Sequence, residues 1–470
     1  MDMIFLRNDG AGNALPPTAP PYTTEKAAIG VREKIIFFKE KHMNPFNETP
    51  VKIDSALQDW KKIYPKAYDK NEISPYSKTR IVLMNGTEFE ANWFSHQCAR
   101  HTDNDDLRRD LALCREVEKQ QQLKISLLKP KNESILEHTI AYEQLAVDLT
   151  AELAKRETDC NVKKALDFAL LEDFDHLYRY ADLLEMEQKI HAETLVGKYT
   201  EIMPGRPTVA HHRYPKDNAK RPINVKTADL FTVLSAMIIT AAEQQTMNYY
   251  MNVSNFAKTD LARRLYQEIA LVEEEHVTQY ESLNDPNATW LEMLLCHEYT
   301  ECYLYYSCYM TESDENLKRL WEENLAYEIS HLHKAKELLQ KYEKKDWRQV
   351  IRNGEFPEPL SLHENISYVR GILSSTAQYT SVKDDYKRVE ELSEDADFFR
   401  FQKMTNGKIE NAPSHKVIEK HVALYGNDYR YQKKASPVPA LRDRKKDNVT
   451  VGRVAGAAES SGFTCNKKSV

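Results

Sequence analysis

The chain has 470 residues, a length that allows two or three domains or one large helical body with extensions. Hydrophobic residues make up 41% and charged residues 29%, which is typical of a soluble globular protein, and the net charge of −7 gives no reason to expect nucleic acid as a partner. The seven cysteines contain no CxxC pair, so neither a zinc ribbon nor a rubredoxin-type iron site is present. Their odd number favours reduced thiols, and because we expect no signal peptide at the start, we predict a cytoplasmic protein.

The N-terminal part of the chain is predicted to be a tail followed by a small α+β region. Residues 1–30 are rich in Gly, Ala, Pro and Thr, and a short helical pattern follows in residues 31–42. Asn85 and Gly86 then stand between two alternating apolar runs, which is a strong signal for a β-hairpin. Residues 31–105 are therefore predicted to form a lid or docking piece that contains this hairpin.

Three potential zinc ligands follow the predicted hairpin: His96, Cys98 and His101. No second ligand pair follows with the spacing of a zinc finger, so we expect these residues to have a structural role. The next segment, residues 107–128, is strongly amphipathic and ends before Pro130. We expect a helix here that packs against the outside of a bundle.

A repeated pattern of acidic residues and histidines follows. Three of the 15 histidines have an acidic residue three positions earlier, so that both side chains lie on one face of a helix. Each of these acidic residues has a glutamate 30 positions upstream. The three sets are Glu143 with Asp173 and His176, Glu243 with Glu273 and His276, and Glu298 with Glu328 and His331.

The spacing within each set predicts a helix hairpin. In an antiparallel pair of helices, residues equally far from the turn lie at the same height, so each glutamate and its partner should straddle a helix breaker. The midpoints fall in the polar segments 156–161, 257–260 and 311–316, which are rich in residues that cap helices. Residues 197–227 contain four prolines and show no periodicity, and we predict that they cross over from the first hairpin to the second.

The first helix of the second hairpin is predicted to be buried. Glu243 is the only charged residue between Leu230 and Ala257, and a buried carboxylate is costly unless an ionic partner holds it. The run is long enough to span a bilayer, but its Asn, Gln, Ser and Thr content and the central glutamate favour a helix inside a bundle. We therefore expect no membrane partner.

These hairpins resemble those of the ferritin-like diiron carboxylate superfamily, in which two helix hairpins each contribute Glu and Glu-x-x-His to a pair of iron or manganese ions. The match covers about residues 133–342, and the third hairpin is similar to part of rubrerythrin. The resemblance implies a mainly α fold, with a ferritin-like helical bundle of three helix hairpins and a long crossover in residues 106–345. It also implies two iron ions, or a Mn/Fe pair, held by Glu143, Asp173, His176, Glu243, Glu273 and His276.

One residue departs from the family pattern, because Asp173 stands where a glutamate is usual and has less reach for bridging. The superfamily relates its two hairpins by an approximate two-fold axis, which needs a crossover that reverses direction. Only the segment 197–227 is long enough, so the first and second hairpins are expected to share the metals. The first and third hairpins remain the runner-up, with Glu298, Glu328 and His331 as ligands. Otherwise those three could face water, a partner subunit or a further metal, and we expect water or a subunit contact.

Other side chains are expected to be structural. Four tyrosines lie near the proposed ligands in sequence, and packing in the core is the simplest role for them: Tyr142, Tyr249, Tyr250 and Tyr280. The loop histidines His211 and His212 are expected to be solvated. Cys302 and Cys308, on one stripe, are expected in the core. Residues 346–435 are predicted to form peripheral helices, including 361–379 and 384–394, and residues 436–470 a disordered tail.

The function that the resemblance implies is that of a non-haem diiron or Mn/Fe oxidoreductase that uses dioxygen or hydrogen peroxide. Because no rubredoxin module is present, electrons would come from an external donor. The alternative is a ferritin-like metal-binding or scaffold protein without turnover. The substrate and the catalytic residues are not predicted from the sequence, and a homo-oligomer is possible on either interpretation.

Overall fold

The computed structural model describes residues 43–426, 428, 430 and 435–442. The predicted tail at 1–30, the helical pattern at 31–42 and most of the predicted C-terminal tail lie outside these residues. The protein is mainly helical, with one small two-stranded sheet. Within the described part of the chain, no helix is both long enough and apolar enough to cross a membrane.

Eight long helices dominate the fold and pair in chain order into four hairpins. Each begins with a Ser, Thr, Asn or Asp whose side chain accepts a hydrogen bond from an N–H of the first turn, which explains where the helices start. The helices are α1 (Pro75–Arg100), α2 (Asp105–Leu128), α3 (Ile135–Arg156), α4 (Cys160–Gln188), α5 (Leu230–Val253), α6 (Asp260–Glu281), α7 (Trp290–Thr311) and α8 (Glu315–Leu338).

The hairpins associate in two groups of four helices. In what we call the inner group, the hairpin α3/α4 packs against α5/α6, through contacts of α3 with α5 and of α4 with α6. In the outer group, α1/α2 packs against α7/α8, through contacts of α1 with α7 and of α2 with α8. The two groups contact each other mainly where α1 lies against α3 and α5. The two hairpins of the inner group are thus consecutive in the sequence, and the two hairpins of the outer group precede and follow them.

The predicted β-hairpin around Asn85 and Gly86 is wrong, because both residues lie in the middle of α1. Gly86 allows α1 and α5 to pack closely, because a Cβ at this position would stand 2.4 Å from Nε2 of Gln245 on α5. Asn85 donates a hydrogen bond to Oε1 of the same glutamine. The helix predicted at 107–128 is confirmed as α2, but it forms a hairpin with α1 and carries buried polar residues.

The C-terminal elements pack mainly against the inner group. Helix α9 (Ile366–Thr376) contacts α4 and α3, and α11 (Pro413–Tyr425) contacts α4 and α6. Strand β1 (Tyr379–Val382) pairs antiparallel with β2 (Asp385–Arg388), so the helix predicted at 384–394 is wrong. Helix α10 (Asp397–Asn406) lies between β2 and α11 in the chain.

Short helical turns complete the described elements. They comprise one-turn α-helices (Trp60–Ile63, Ala192–Leu195 and Thr208–His211), a π turn (Leu339–Glu343) and 3₁₀ turns (Pro45–Asn47, Ile53–Ala56, Pro215–Asp217, Trp347–Gln349, Val389–Glu391, Ile409–Asn411 and Pro439–Leu441).

Candidate metal centre

The inner group brings together the six side chains that the first two sequence sets predict as ligands. Potential ligand atoms of four residues lie within 4.8 Å of one another, and the same holds for a group of three residues. Glu273 belongs to both, and every member is buried, with at most 1% of its surface exposed. The four residues are Asp173, Glu243, Glu273 and His276, and the trio is Glu143, His176 and Glu273.

Glu273 lies between the two histidines. Its Oε1 is 3.0 Å from Nδ1 of His176, and its Oε2 is 3.0 Å from Nδ1 of His276. The same Nδ1 of His276 also lies 3.3 Å from Asp173 Oδ1 and 3.7 Å from Glu243 Oε2. Each hairpin therefore contributes one imidazole, and a carboxylate stands between them in the position of a bridge.

Several ligand oxygens have no hydrogen-bond partner in the described part of the protein. This holds for both oxygens of Asp173, both of Glu243 and Oε2 of Glu143. Buried carboxylates without partners are costly, and the described residues provide no lysine or arginine in an ion pair with Glu143, Asp173, Glu243 or Glu273. Two divalent cations would offset four carboxylates, and carboxylate oxygens with imidazole nitrogens suit first-row metals. The residues present therefore fit a pair of such ions.

The burial of the site changes the proton affinity of its carboxylates. Burial raises the pKa of Glu143 and of Asp173 well above the usual range, and neighbouring carboxylates raise it further. Burial also raises the pKa of Glu243 to about 7. At Glu273 burial opposes ionisation, but the hydrogen bonds with His176 and His276 outweigh it and lower the pKa. One carboxylate at the centre thus stays ionised while its neighbours favour their protons.

A chain of charged residues supports His276 from outside the cluster. Its Nε2 lies 2.7 Å from Glu172 Oε2, and Arg213 donates to both oxygens of Glu172 at 2.7 Å. Burial opposes the ionisation of Glu172, but Arg213 and His276 outweigh it and lower its pKa to about 2. Sequence reasoning missed both Glu172 and Arg213, because neither belongs to the repeated pattern.

The crossover covers this side of the site. Gly205 lies so close to α4 that a Cβ would stand 2.6 Å from the carbonyl oxygen of Leu171, and its N–H donates to Asp175 Oδ1. The expectation that His211 and His212 are solvated is wrong, because both are buried. The ring of His211 lies edge-on to that of His176, at 5.7 Å between centroids, and His212 pairs with Glu268.

Tyrosines line the inner group, as the sequence predicts, and one of them reaches a proposed ligand. Tyr250 donates a hydrogen bond from its hydroxyl to Glu143 Oε1. Tyr142 stacks on Tyr249, with 4.3 Å between ring centroids, and donates to Gln245 at 3.3 Å. The ring of Tyr280 lies 6.4 Å from that of His276. Packing accounts for Tyr142 and Tyr249, whereas Tyr250 also holds a ligand oxygen.

The third sequence set lies in a different place. Glu298, Glu328 and His331 are at most 2% exposed, so the expectation that they face water or a partner subunit is wrong. They lie in the outer group and meet residues of α2 rather than of α3 and α4, so they do not share the cluster of the first hairpin. The stripe with Cys302 and Cys308 is buried, in agreement with the core role expected for it.

The residues considered for zinc do not converge. His96 and His101 are exposed while Cys98 is buried, and none of them belongs to a metal-compatible group within the described ranges.

Comparisons of the chain with protein-family models, with curated proteins and with solved structures found no match. The chemistry of the inner group is therefore argued from its own geometry.

Proposed function

We propose that the inner group is a ferritin-like dinuclear metal centre and that the protein is a non-haem diiron or Mn/Fe oxidoreductase that uses dioxygen or hydrogen peroxide. The observation that carries this proposal is the position of Glu273 between two imidazoles, among three further buried carboxylates that form no ion pair with a lysine or arginine of the described residues. A pair of bound iron ions, or one manganese and one iron ion, would supply the redox chemistry with the oxidant.

The residues of the chain have separate roles in this proposal. Glu143, Asp173, Glu243 and Glu273 would offset the charge of two divalent cations, while the imidazoles bind in their neutral form. Tyr250 donates a hydrogen bond from its hydroxyl to Glu143 and so fixes the orientation of that carboxylate. The crossover and the surrounding helices keep bulk water away from the ligands, which are fully buried.

The proposal is tested by metal content and iron oxidation. Purified full-length protein is loaded with Fe²⁺ without oxygen and analysed by mass spectrometry, and dioxygen or peroxide is then added while Fe²⁺ is followed with a chelating dye. The variant Glu273→Gln should lose about two ions per chain and the iron oxidation that depends on them. Glu274→Gln is the matched control, because Glu274 is the adjacent residue of α6 and is exposed.

Two results would count against the proposal. Unchanged metal content in Glu273→Gln would show that the inner group binds no metal. Normal metal content in the wild type without faster Fe²⁺ oxidation than in buffer would instead support a ferritin-like metal-binding or scaffold protein.

A further inference from the structure

The outer group repeats the donor positions of the inner group at a constant interval. Glu88, Glu118 and Gln121 stand 55 positions before Glu143, Asp173 and His176. Glu298, Glu328 and His331 stand 55 positions after Glu243, Glu273 and His276. The hairpin α1/α2 therefore offers a fourth set, in which glutamine replaces histidine and glutamate replaces aspartate.

A tyrosine contact repeats at the same interval, although the tyrosines do not belong to the repeated sets. Tyr305 stands 55 positions after Tyr250. Its hydroxyl donates to Glu88, as the hydroxyl of Tyr250 donates to Glu143. In each group a tyrosine of one hairpin thus orients the first carboxylate of the other hairpin.

The donor atoms of the outer group also converge, although the shared residue is Glu298, the counterpart of Glu243, rather than Glu328, the counterpart of Glu273. Atoms of Glu118, Glu298 and His331 lie within 4.8 Å of one another, as do atoms of Glu298, Glu301 and Glu328. Nδ1 of His331 is 3.2 Å from Glu328 Oε2, 3.9 Å from Glu118 Oε1 and 4.0 Å from Glu298 Oε2. Glu298 belongs to both trios, so it occupies a shared position between two potential ions.

The oxygens that point into this cluster lack partners within the described ranges. Both oxygens of Glu301 and one oxygen each of Glu118 and Glu298 accept no hydrogen bond, and all three side chains are at most 2% exposed. The ring of His297 lies between two carboxylates, with Nε2 at 3.6 Å from Glu301 Oε2 and Nδ1 at 3.1 Å from Glu90 Oε2.

The protein neutralises buried carboxylates elsewhere with arginine. Asp182 and Asp428 lie 2.8 and 2.9 Å from Nη1 of Arg430, and Glu172 is paired with Arg213. Among the described residues, no lysine or arginine forms an ion pair with the five glutamates of the outer cluster. In their ionised form these glutamates would therefore need another source of positive charge. They are Glu88, Glu118, Glu298, Glu301 and Glu328.

The donor set of the outer cluster contains a larger share of hard oxygen ligands than that of the inner cluster. Its metal-compatible groups contain four carboxylates and one imidazole, compared with four carboxylates and two imidazoles in the inner group, because Gln121 occupies the position of a histidine and Glu301 the position of Thr246. Nε2 of Gln121 donates to Glu328 Oε1 at 2.6 Å and to Glu88 Oε1 at 3.2 Å, so the amide orients two carboxylates. Oxygen-rich donor sets suit Mn²⁺ better than nitrogen-preferring metals such as Zn²⁺.

We propose that the outer group holds a second, separate metal site, which binds an oxygen-preferring divalent cation such as Mn²⁺. This inference does not depend on the oxidoreductase function, because it concerns different helices and different ligands. The chain would then carry two metal centres that differ in donor chemistry, with the inner one richer in imidazole.

The test is a Mn²⁺ titration of metal-free full-length protein, with free Mn²⁺ followed by electron paramagnetic resonance and bound Mn²⁺ by mass spectrometry. The wild type should bind about four ions per chain if both groups are dinuclear. Glu298→Gln/Glu328→Gln and Glu243→Gln/Glu273→Gln should each retain about half of that number. Glu337→Gln is the control for the outer variant, because Glu337 is exposed on the same helix α8.

Each outcome decides between the two sites. An outer variant with wild-type Mn²⁺ content would overturn the second site and leave the oxidoreductase proposal standing, whereas an inner variant with wild-type content would do the reverse. Wild-type crystals soaked in Mn²⁺ provide a test without substitutions. An anomalous difference peak among Glu118, Glu298 and Glu328 supports the inference, and a peak confined to the inner group contradicts it.

Discussion

Glu172 holds the imidazole of His276 through the ring nitrogen that does not face the other ligands. Such an outer partner orients the ring and raises its basicity, and its loss typically costs about 10- to 100-fold in metal affinity. We therefore expect Glu172→Gln to weaken metal binding by the inner group about 10- to 100-fold while the outer group keeps its affinity. Competition with a metal chelator measures both affinities, and equal losses in the two groups would contradict this positioning role.

Substitutions of Arg213 distinguish a positioning role of Glu172 from a purely structural role. Arg213→Met leaves Glu172 buried with only the more distant guanidinium of Arg206, at 3.9 Å, which should lower the free energy of unfolding by about 3–5 kcal/mol. The double variant Arg213→Met/Glu172→Gln removes the stranded charge, so it should recover part of this stability without recovering the metal affinity. Urea unfolding of both metal-free variants, compared with chelator competition, tests this difference.

At the residue scale, the interval of 30 positions predicted three sets of side chains, and the length of the crossover selected the two sets that meet in the inner group. The fourth set does not show the pattern of an acidic residue and a histidine, because Gln121 stands where that histidine would be. Glu88 and Glu118 keep the interval, but pairs of acidic residues at a fixed distance are too frequent to be informative alone. Glu172 and Arg213 could not be predicted, because their pairing depends on the path of the crossover.

At the scale of single elements, α1 shows why a strong local signal failed. An Asn-Gly pair between apolar runs predicts a turn because glycine and asparagine adopt left-handed backbone conformations easily. In α1 both residues are helical, and contacts with α5 determine their identity. The predicted helix hairpins were more reliable because three independent features agreed: periodicity, capping residues and the interval between ligands.

Gly86→Ala should therefore destabilise the protein. The new Cβ would stand 2.4 Å from Nε2 of Gln245, whose side chain is held by Val82 O at 3.0 Å and by Asn85. Displacing this amide from a packed interface should cost about 1–3 kcal/mol. Gly371→Ala is the control, because nothing lies within 4 Å of its Cβ position, and it should be neutral or stabilising by about 1 kcal/mol. Urea unfolding measures both, and equal stabilities would contradict the close approach of α1 to α5.

At the scale of the whole molecule, two clusters of buried acid make the stability of the metal-free protein depend on pH. Burial raises the pKa of Glu243 in the inner group and of Glu118 in the outer group from 4.5 to about 7. Between about pH 4.5 and pH 7 the unfolded chain has lost protons that the folded chain retains, so the free energy of unfolding falls as the pH rises. Bound cations remove this penalty because they favour the ionised carboxylates.

We expect the stabilisation by Mn²⁺ to grow as the pH rises from about 4.5 to about 7. Thermal unfolding of metal-free and Mn²⁺-loaded protein at several pH values measures this difference, and other titrating groups largely cancel in the comparison. Glu337→Gln should show the same trend as the wild type, since Glu337 is exposed and outside both clusters. A difference that shrinks over this range would contradict the assignment of these carboxylates to metal sites.

The nested order of the hairpins has a consequence for the newly made chain. Helices α3 to α6 leave the ribosome consecutively, so the inner group is complete once α6 has emerged. The α1/α2 hairpin was made first but finds its partner only after α8, 57 residues beyond the end of α6, which corresponds to several seconds of synthesis. During that interval its acidic face has no partner hairpin. The earliest-made ligands are therefore the last to be enclosed, and cation binding by the outer group belongs to the final step of maturation.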